Sequence, residues 1–206
     1  AVIRPEAGPF TEHQISLLET FADQAVIAIQ NVQQFNETKE ALERQTATAE
    51  ILKVIASSPD DVQPVFDAIA QSAKRLFGAR ASVVTRAVGD LLQLAAFTAT
   101  GDEEDEALKS AYSKPLLPSN LHVIAARSGK PAIQSDFEND PGLPPEVKEF
   151  ARARGIRSQL TVPMLREGAT IGTISVARSE AGTFTSHQIG LLETFGAVYI
   201  SSAYKD

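Results

Sequence analysis

The chain has 206 residues, 43% apolar and 22% charged, so it is long enough to bury a substantial core and has the balance of a soluble globular protein. Nineteen basic against 26 acidic residues leave a formal charge of −7, which argues against partners such as nucleic acid or an anionic membrane surface. With no cysteine, disulfides, thiolate zinc sites, cysteine nucleophiles, iron–sulfur clusters and thioether-linked cofactors are removed.

A cytoplasmic location is expected. No run approaches the roughly 18 consecutive apolar residues of a membrane span, and Ala1-Val-Ile-Arg-Pro5 lacks the charged and apolar regions of a signal peptide. The first element is a short strand, Ala1–Arg4, opening abruptly. Thr11 with Gln14 three residues later has the capping-box spacing, and Phe10 is placed to staple onto Ile15. From Glu12 to Ser57 there is neither proline nor glycine, which predicts one helix of roughly 70 Å. The alternative is two helices broken near Asn36. Apolar residues at seven-residue spacing (Phe21, Ala28, Phe35, Leu42) have a companion row in Leu18, Ala25 and Val32 that turns polar at Lys39. These seven apolar positions form a candidate homodimer seam.

Ser58-Pro-Asp-Asp61 stops this helix and caps the next, Val62–Phe77, whose Val65, Phe66, Ile69, Ala73 and Leu76 share a face. Strands Ala81–Ala87 and Leu91–Thr98 follow as a hairpin around Val88-Gly-Asp90. The acidic run Gly101-Asp-Glu-Glu-Asp-Glu106 reads as a solvated helix N-terminus, with a metal or partner site as the alternative. A short helix Asn120–Arg127, a short strand Ala132–Gln134 and a helix Glu146–Arg154 come next. The last strands, Ser158–Leu165 and Thr170–Ala177, turn at Arg166-Glu-Gly168, with Leu160, Val162 and Met164 on one face and Gln159 and Thr161 on the other. About five strands among helices make an α+β domain.

The chain also repeats itself. Residues 1–21 and 175–195 share 15 identities at an offset of 174, including the cap pair Thr185 and Gln188 and the staple pair Phe184 and Ile189. That period is too long for a solenoid unit and implies a tandem of whole domains.

The hairpins, together with Thr161-Val-Pro-Met-Leu165, Ile171-Gly-Thr-Ile-Ser-Val-Ala177 and Phe184-Thr-x-x-Gln188-x-x-Leu191-Leu-Glu193, resemble a GAF domain, a small-molecule and signalling module on a central antiparallel sheet. The resemblance implies three segments: 1–32 as the closing strand and helix of a preceding GAF domain, 33–57 as a helical linker and possible coiled coil, and 58–206 as a GAF domain. Glu43–Ser58 is similar to linkers between GAF domains of bacterial sensor histidine kinases and cyclases. A regulatory sensor of a two-component histidine kinase is therefore expected, acting on an output domain of the same chain. A ligand-free dimerisation scaffold and a cyclase segment are the alternatives. Gly196–Asp206 departs from the first copy, as a natural divergence or an end effect.

The same resemblance bounds the ligand. A covalent bilin and the sulfoxide reductase activity both need cysteines, and the cyclic-nucleotide signature is only hinted at by Ser128-Gly-Lys130 and Phe137-Glu-Asn-Asp140. The ligand is an unknown small molecule, with His122, Asp136, Phe137, Arg157, Gln159 and Thr161 as candidate binding residues by family position. His122 reads either as a helix-surface or pocket-rim residue or as a haem or ligand contact. His13 and His187 read as surface residues, without metal partners. Arg127, Arg152, Arg154 and Arg157 form either an anion patch or solvated charges pairing with Glu146 and Glu149. No residue constellation suggests catalysis.

Overall fold

The computed structural model describes residues 3, 8–57, 62–113 and 115–203, with side chains omitted at scattered positions from 40 to 57 and beyond 197. The expected strand Ala1–Arg4 and the stop at Ser58–Asp61 lie outside the described residues. The chain divides into two units, residues 1–45 and 46–206.

Helix α1 (Glu12–Ser57) opens on the expected capping box: Thr11 N–H donates to Gln14 Oε1 at 3.0 Å, and Gln14 N–H donates to Thr11 Oγ1 at 3.3 Å. It runs unbroken through Asn36, as a stretch lacking proline and glycine allows. Phe21, Val32, Phe35 and Leu42 are 60% to 69% exposed, and so, around the helix, are Val26, Ile27 and Ile29 by more than half.

The second unit is built on a five-stranded antiparallel sheet in the order β2-β1-β5-β4-β3. Its elements are α2 (Gln63–Leu76), β1 (Ala81–Val88), β2 (Leu91–Phe97), α3 (Asp102–Tyr112), α4 (Leu121–Ser128), β3 (Ala132–Gln134), α5 (Pro145–Ala153), β4 (Ser158–Arg166), β5 (Ala169–Arg178) and α6 (Ser186–Ala203). Both hairpins close with two residues, Gly89-Asp90 and Glu167-Gly168. The second pair has φ of 52° and 82°, so both residues take the left-handed backbone that follows strand twist. Gly172 has a steric rather than a conformational reason: a Cβ there would run into the Thr85 carbonyl and the Met164 methyl. β3 ends before reaching Pro163, so the residue without an N–H leaves no neighbour short on that side.

Period-two alternation gives the sheet two unlike faces. One carries Val84, Leu160, Val162, Met164, Ile174 and Val176, and packs on Phe66 and Ile69 of α2 and Leu192 and Phe195 of α6. α6 starts from the second capping box, with Thr185 N–H to Gln188 Oε1 at 3.0 Å and Gln188 N–H to Thr185 Oγ1 at 3.2 Å. Phe184 is buried beside Ile189, as the staple requires. The opposite face carries Thr85, Thr173, Ser175 and Thr161, and α4 lies across β3, β4 and β5 on that side.

Candidate functional site

Cross-strand neighbours share a face, so the register lines up Thr85, Thr173 and Pro163, and beside them Val83, Ser175, Thr161 and Ala132. These hydroxyl residues alternate as a solvent-facing row would, yet Thr85, Thr161 and Thr173 are fully buried. Helix α4 covers them. Its cap, Asn120, accepts the His122 N–H at 2.9 Å, and this start turns the imidazole inward.

His122 is 3% exposed, and its Nδ1 lies 2.6 Å from Thr173 Oγ1, which lies 2.6 Å from Thr85 Oγ1. Tyr112, the last residue of α3, meets the imidazole edge-on with 5.9 Å between ring centres. Burial, with the Arg154 cation acting in the same sense, lowers the His122 pKa to about 3. Burial also raises the Tyr112 phenol, against the pull of Arg154. The surface or rim placement expected for His122 is thus corrected: it is a buried neutral residue. The Thr173–His122 distance is that of a nucleophile and its base. Thr173 is itself fully buried and shares its hydroxyl with Thr85.

The remaining predicted residues sit elsewhere on the sheet. Asp136 and Arg157 form a two-pronged ion pair, with Nε to Oδ1 at 3.0 Å and Nη2 to Oδ2 at 2.9 Å. Asp136 also accepts the Glu138 and Asn139 N–H groups; the guanidinium first, and these bonds after it, hold its carboxyl well below the usual range. Phe137 is 6% exposed in a small core with Ala151, Ile156 and Ala177. Gln159 is half-buried and donates to Thr161 Oγ1 at 2.9 Å. Ala177, opposite Gln159, is four residues from Thr173, about 13 Å along the strand. The structure therefore separates His122 from the Asp136–Arg157 loop.

The arginine patch is also corrected. Arg152 pairs with Glu138 at 2.7 Å and Arg157 with Asp136; the described ion pairs include neither Glu146 nor Glu149. Arg154 is buried at 3% exposure, which pulls its pKa down. The acidic run is only partly solvated: Asp102, Glu103 and Glu106 are exposed, but Glu104 bonds Arg80 at 2.7 Å. Asp105 is buried, accepting from Thr100 N–H and Oγ1. His13 and His187 are exposed, and no group of three or more potential metal ligands occurs among the described residues.

One space open to a ligand lies on the polar face. A cleft of about 680 Å³ runs between the β1–β2 hairpin, the end of α3 and α4. Leu92, Leu116 and Val123 give it apolar walls, Tyr112 and Thr170 hydroxyls, and Arg127 and Asp90 one charge of each sign. Arg127 is exposed and has no ionic partner among the described residues. Of the residues singled out in the sequence Arg127 lines this cleft, and His122 packs against the ring of Tyr112, which lines it. Sequence reasoning missed the cleft because its walls come from segments brought together only by the hairpin and the covering helices. A second hollow of about 480 Å³, lined by Ala79, Arg80, Arg178 and Glu180, lies at the other end of β1 and β5.

Comparison with known proteins follows the same lines. A family profile described as GAF domain matches residues 61–199. The chain is 26% identical over 168 residues to a dual 3′,5′-cyclic-AMP and -GMP phosphodiesterase 11A of Takifugu rubripes; this covers 75% of the chain but only 18% of that protein. A domain of a putative two-component sensor histidine kinase from Sinorhizobium meliloti is similar at a TM-score of 0.55, with 15% identity, 69% of this chain and 90% of that one. A free methionine-R-sulfoxide reductase from Neisseria meningitidis reaches 0.57, with 17% identity, 80% of this chain and 89% of that one. Identities this low establish a shared fold. The last two relatives, a domain of a putative sensor histidine kinase and a reductase, show how widely the fold is used. Among the described residues no helix is long and apolar enough to cross a membrane.

Proposed function

The chain belongs to the GAF domain family, and from that premise we propose that it is the sensory segment of a larger signalling protein, holding a small molecule on the polar face of its sheet. The observation carrying this reading is the asymmetry of the sheet. One face is a continuous apolar core, whereas the other has hydroxyls and an imidazole under α4 and an open cleft beside them. Concave, partly apolar clefts with a few fixed polar groups suit small ligands.

The parent is a two-component histidine kinase, with a nucleotide cyclase second. The structural likeness to a domain of a putative Sinorhizobium sensor histidine kinase and the linker-like segment Glu43–Ser58 favour it. The 174-residue repeat supports a GAF domain ending near residue 32, upstream of the one at 58–206. Signalling runs through α1 as part of a homodimer. A helix apolar on several faces, with Phe21, Val32 and Phe35 uncovered, is poorly suited to stand alone in water. Ligand then shifts the packing of the helix pair between two states, and the segment itself performs no chemistry.

A thermal-shift screen of metabolites tests the sensor. Expected are stabilising compounds whose effect is lost in Val123→Trp, which fills the cleft. Light scattering tests the seam: the chain is expected to be dimeric and Phe21→Glu monomeric. A wild-type monomer at high concentration, with no stabilising compound, would refute the reading.

A further inference from the structure

The cleft between the β1–β2 hairpin, the end of α3 and α4 has about 680 Å³, a volume in the range of small-molecule pockets. The polar side chains lining it fall into two groups. The first is held by the protein itself: Gln93 Oε1 accepts from Arg86 at 3.3 Å, and Ser113 Oγ and Thr170 Oγ1 donate to the carbonyls of Ser110 and Ala126 at 2.7 and 2.9 Å. The second is Asp90, Arg127 and the Tyr112 hydroxyl, which have no hydrogen-bond or ionic partner among the described residues.

The two charges of this second group stand on different walls. Asp90 belongs to the β1–β2 turn. Arg127 is in the last turn of α4, on the helix face that also gives the cleft Val123 and Ala126, while His122 and Ala125 are buried on the other. Asp90 and Arg127 are both exposed, whereas Leu92, Leu116 and Val123 are half-buried, so the charges stand at the mouth and the apolar walls lie deeper.

Opposite charges that share a cleft without pairing with each other select a ligand by sign. A simple organic acid meets Arg127 but also Asp90, on a chain whose formal charge is −7. An amine meets Asp90 but also Arg127. A molecule carrying both charges on one head satisfies both residues, and the deeper walls ask that an apolar tail follow the head.

We propose that the cleft takes a zwitterion with an apolar tail, in chemical class an aliphatic or aromatic amino acid, with its carboxylate against Arg127, its ammonium against Asp90 and its tail among Leu92, Leu116 and Val123. This rests on the reading of the polar face as the ligand site and adds the ligand's chemical class. The competing account leaves Asp90 and Arg127 as independent surface charges facing water.

The test is titration calorimetry on the 206-residue chain with leucine and phenylalanine. Each is set beside the analogue lacking the ammonium (isocaproate, hydrocinnamate) and the one lacking the carboxylate (isoamylamine, phenethylamine), with glycine as the head without a tail. At least one of the two amino acids is expected to bind, and its analogues and glycine to bind about tenfold more weakly or less. Both charged residues are exposed, so Arg127→Gln and Asp90→Asn leave the core untouched. Arg127→Gln is expected to bring the amino acid down to the level of its amine, and Asp90→Asn to the level of its acid. A plain acid or amine binding as tightly as the amino acid would overturn the zwitterion assignment while leaving the cleft as a ligand site. A preference for the amino acid that survives both substitutions would overturn it by placing the head elsewhere. No binding by either amino acid would overturn it in favour of solvated charges; a stabilising compound of another class, lost in Val123→Trp, would still uphold the sensor reading.

Discussion

Acid should destabilise the fold through His122. In the unfolded chain the imidazole titrates at its ordinary 6.5, whereas burial under α4 brings the folded value to about 3. Its native pKa is depressed, so the unfolded state binds the proton first and stability falls as pH drops through 6.5 towards 3. At pH 5 the unfolded imidazole is almost wholly protonated and the folded one almost wholly neutral. From pH 7.5 to pH 5 that difference removes about 2 kcal/mol. The carboxyls that the fold acidifies, Asp136, Glu138 and Asp140, lose their contribution only near and below their ordinary values of 3.8 to 4.5, outside this window. The Tyr112 phenol, whose ring meets the imidazole, is pushed up by burial and stays protonated across it. Urea unfolding at the two pH values, for the wild-type chain and His122→Gln, measures the term. The variant is expected to be less stable at both but to lose about 2 kcal/mol less than the wild type between them. Equal losses in the two proteins would refute the claim that His122 is buried and neutral.

Other perturbations read other parts of the fold. Ile69→Ala, at a position fully buried between α2 and the sheet, should cost about 2–5 kcal/mol by urea unfolding. Gly172→Ala should cost about 1–3 kcal/mol, since the obstacle is the Thr85 backbone and not a flexible tip. Thr185→Ala removes one half of a capping box and should cost about 1 kcal/mol. Asp136→Ala should destabilise more than Arg152→Ala in thermal melts, because Asp136 holds backbone N–H groups of its loop as well as a guanidinium.

The elements legible in the sequence are those whose signals are local. Thr185 with Gln188 and the turn Glu167-Gly168 carry their geometry within a few residues, and Leu160, Val162 and Met164 announce a buried face by alternation alone. The second face was hidden for the same reason. Thr85 and Thr173 look like outward polar residues until α4 covers them, and their hydroxyls meet across 88 residues of chain. His122 sits on a helix of eight residues, too short for periodicity to say which side is inside. Arg152, Arg154 and Arg157 are near one another in the chain, and nothing local distinguishes the two that take surface acids from the one that turns inward. The Glu138 and Asp136 partners come from the loop after β3, not from Glu146 or Glu149 on the arginines' own helix.

The central claim is that the polar face of the sheet holds a small molecule. Native mass spectrometry of the protein taken from its own cells tests it most directly. The account predicts a dimer carrying one small molecule per chain, absent from Val123→Trp. A wild-type spectrum showing only the bare polypeptide mass, identical to that of the cleft-filled variant, would contradict it.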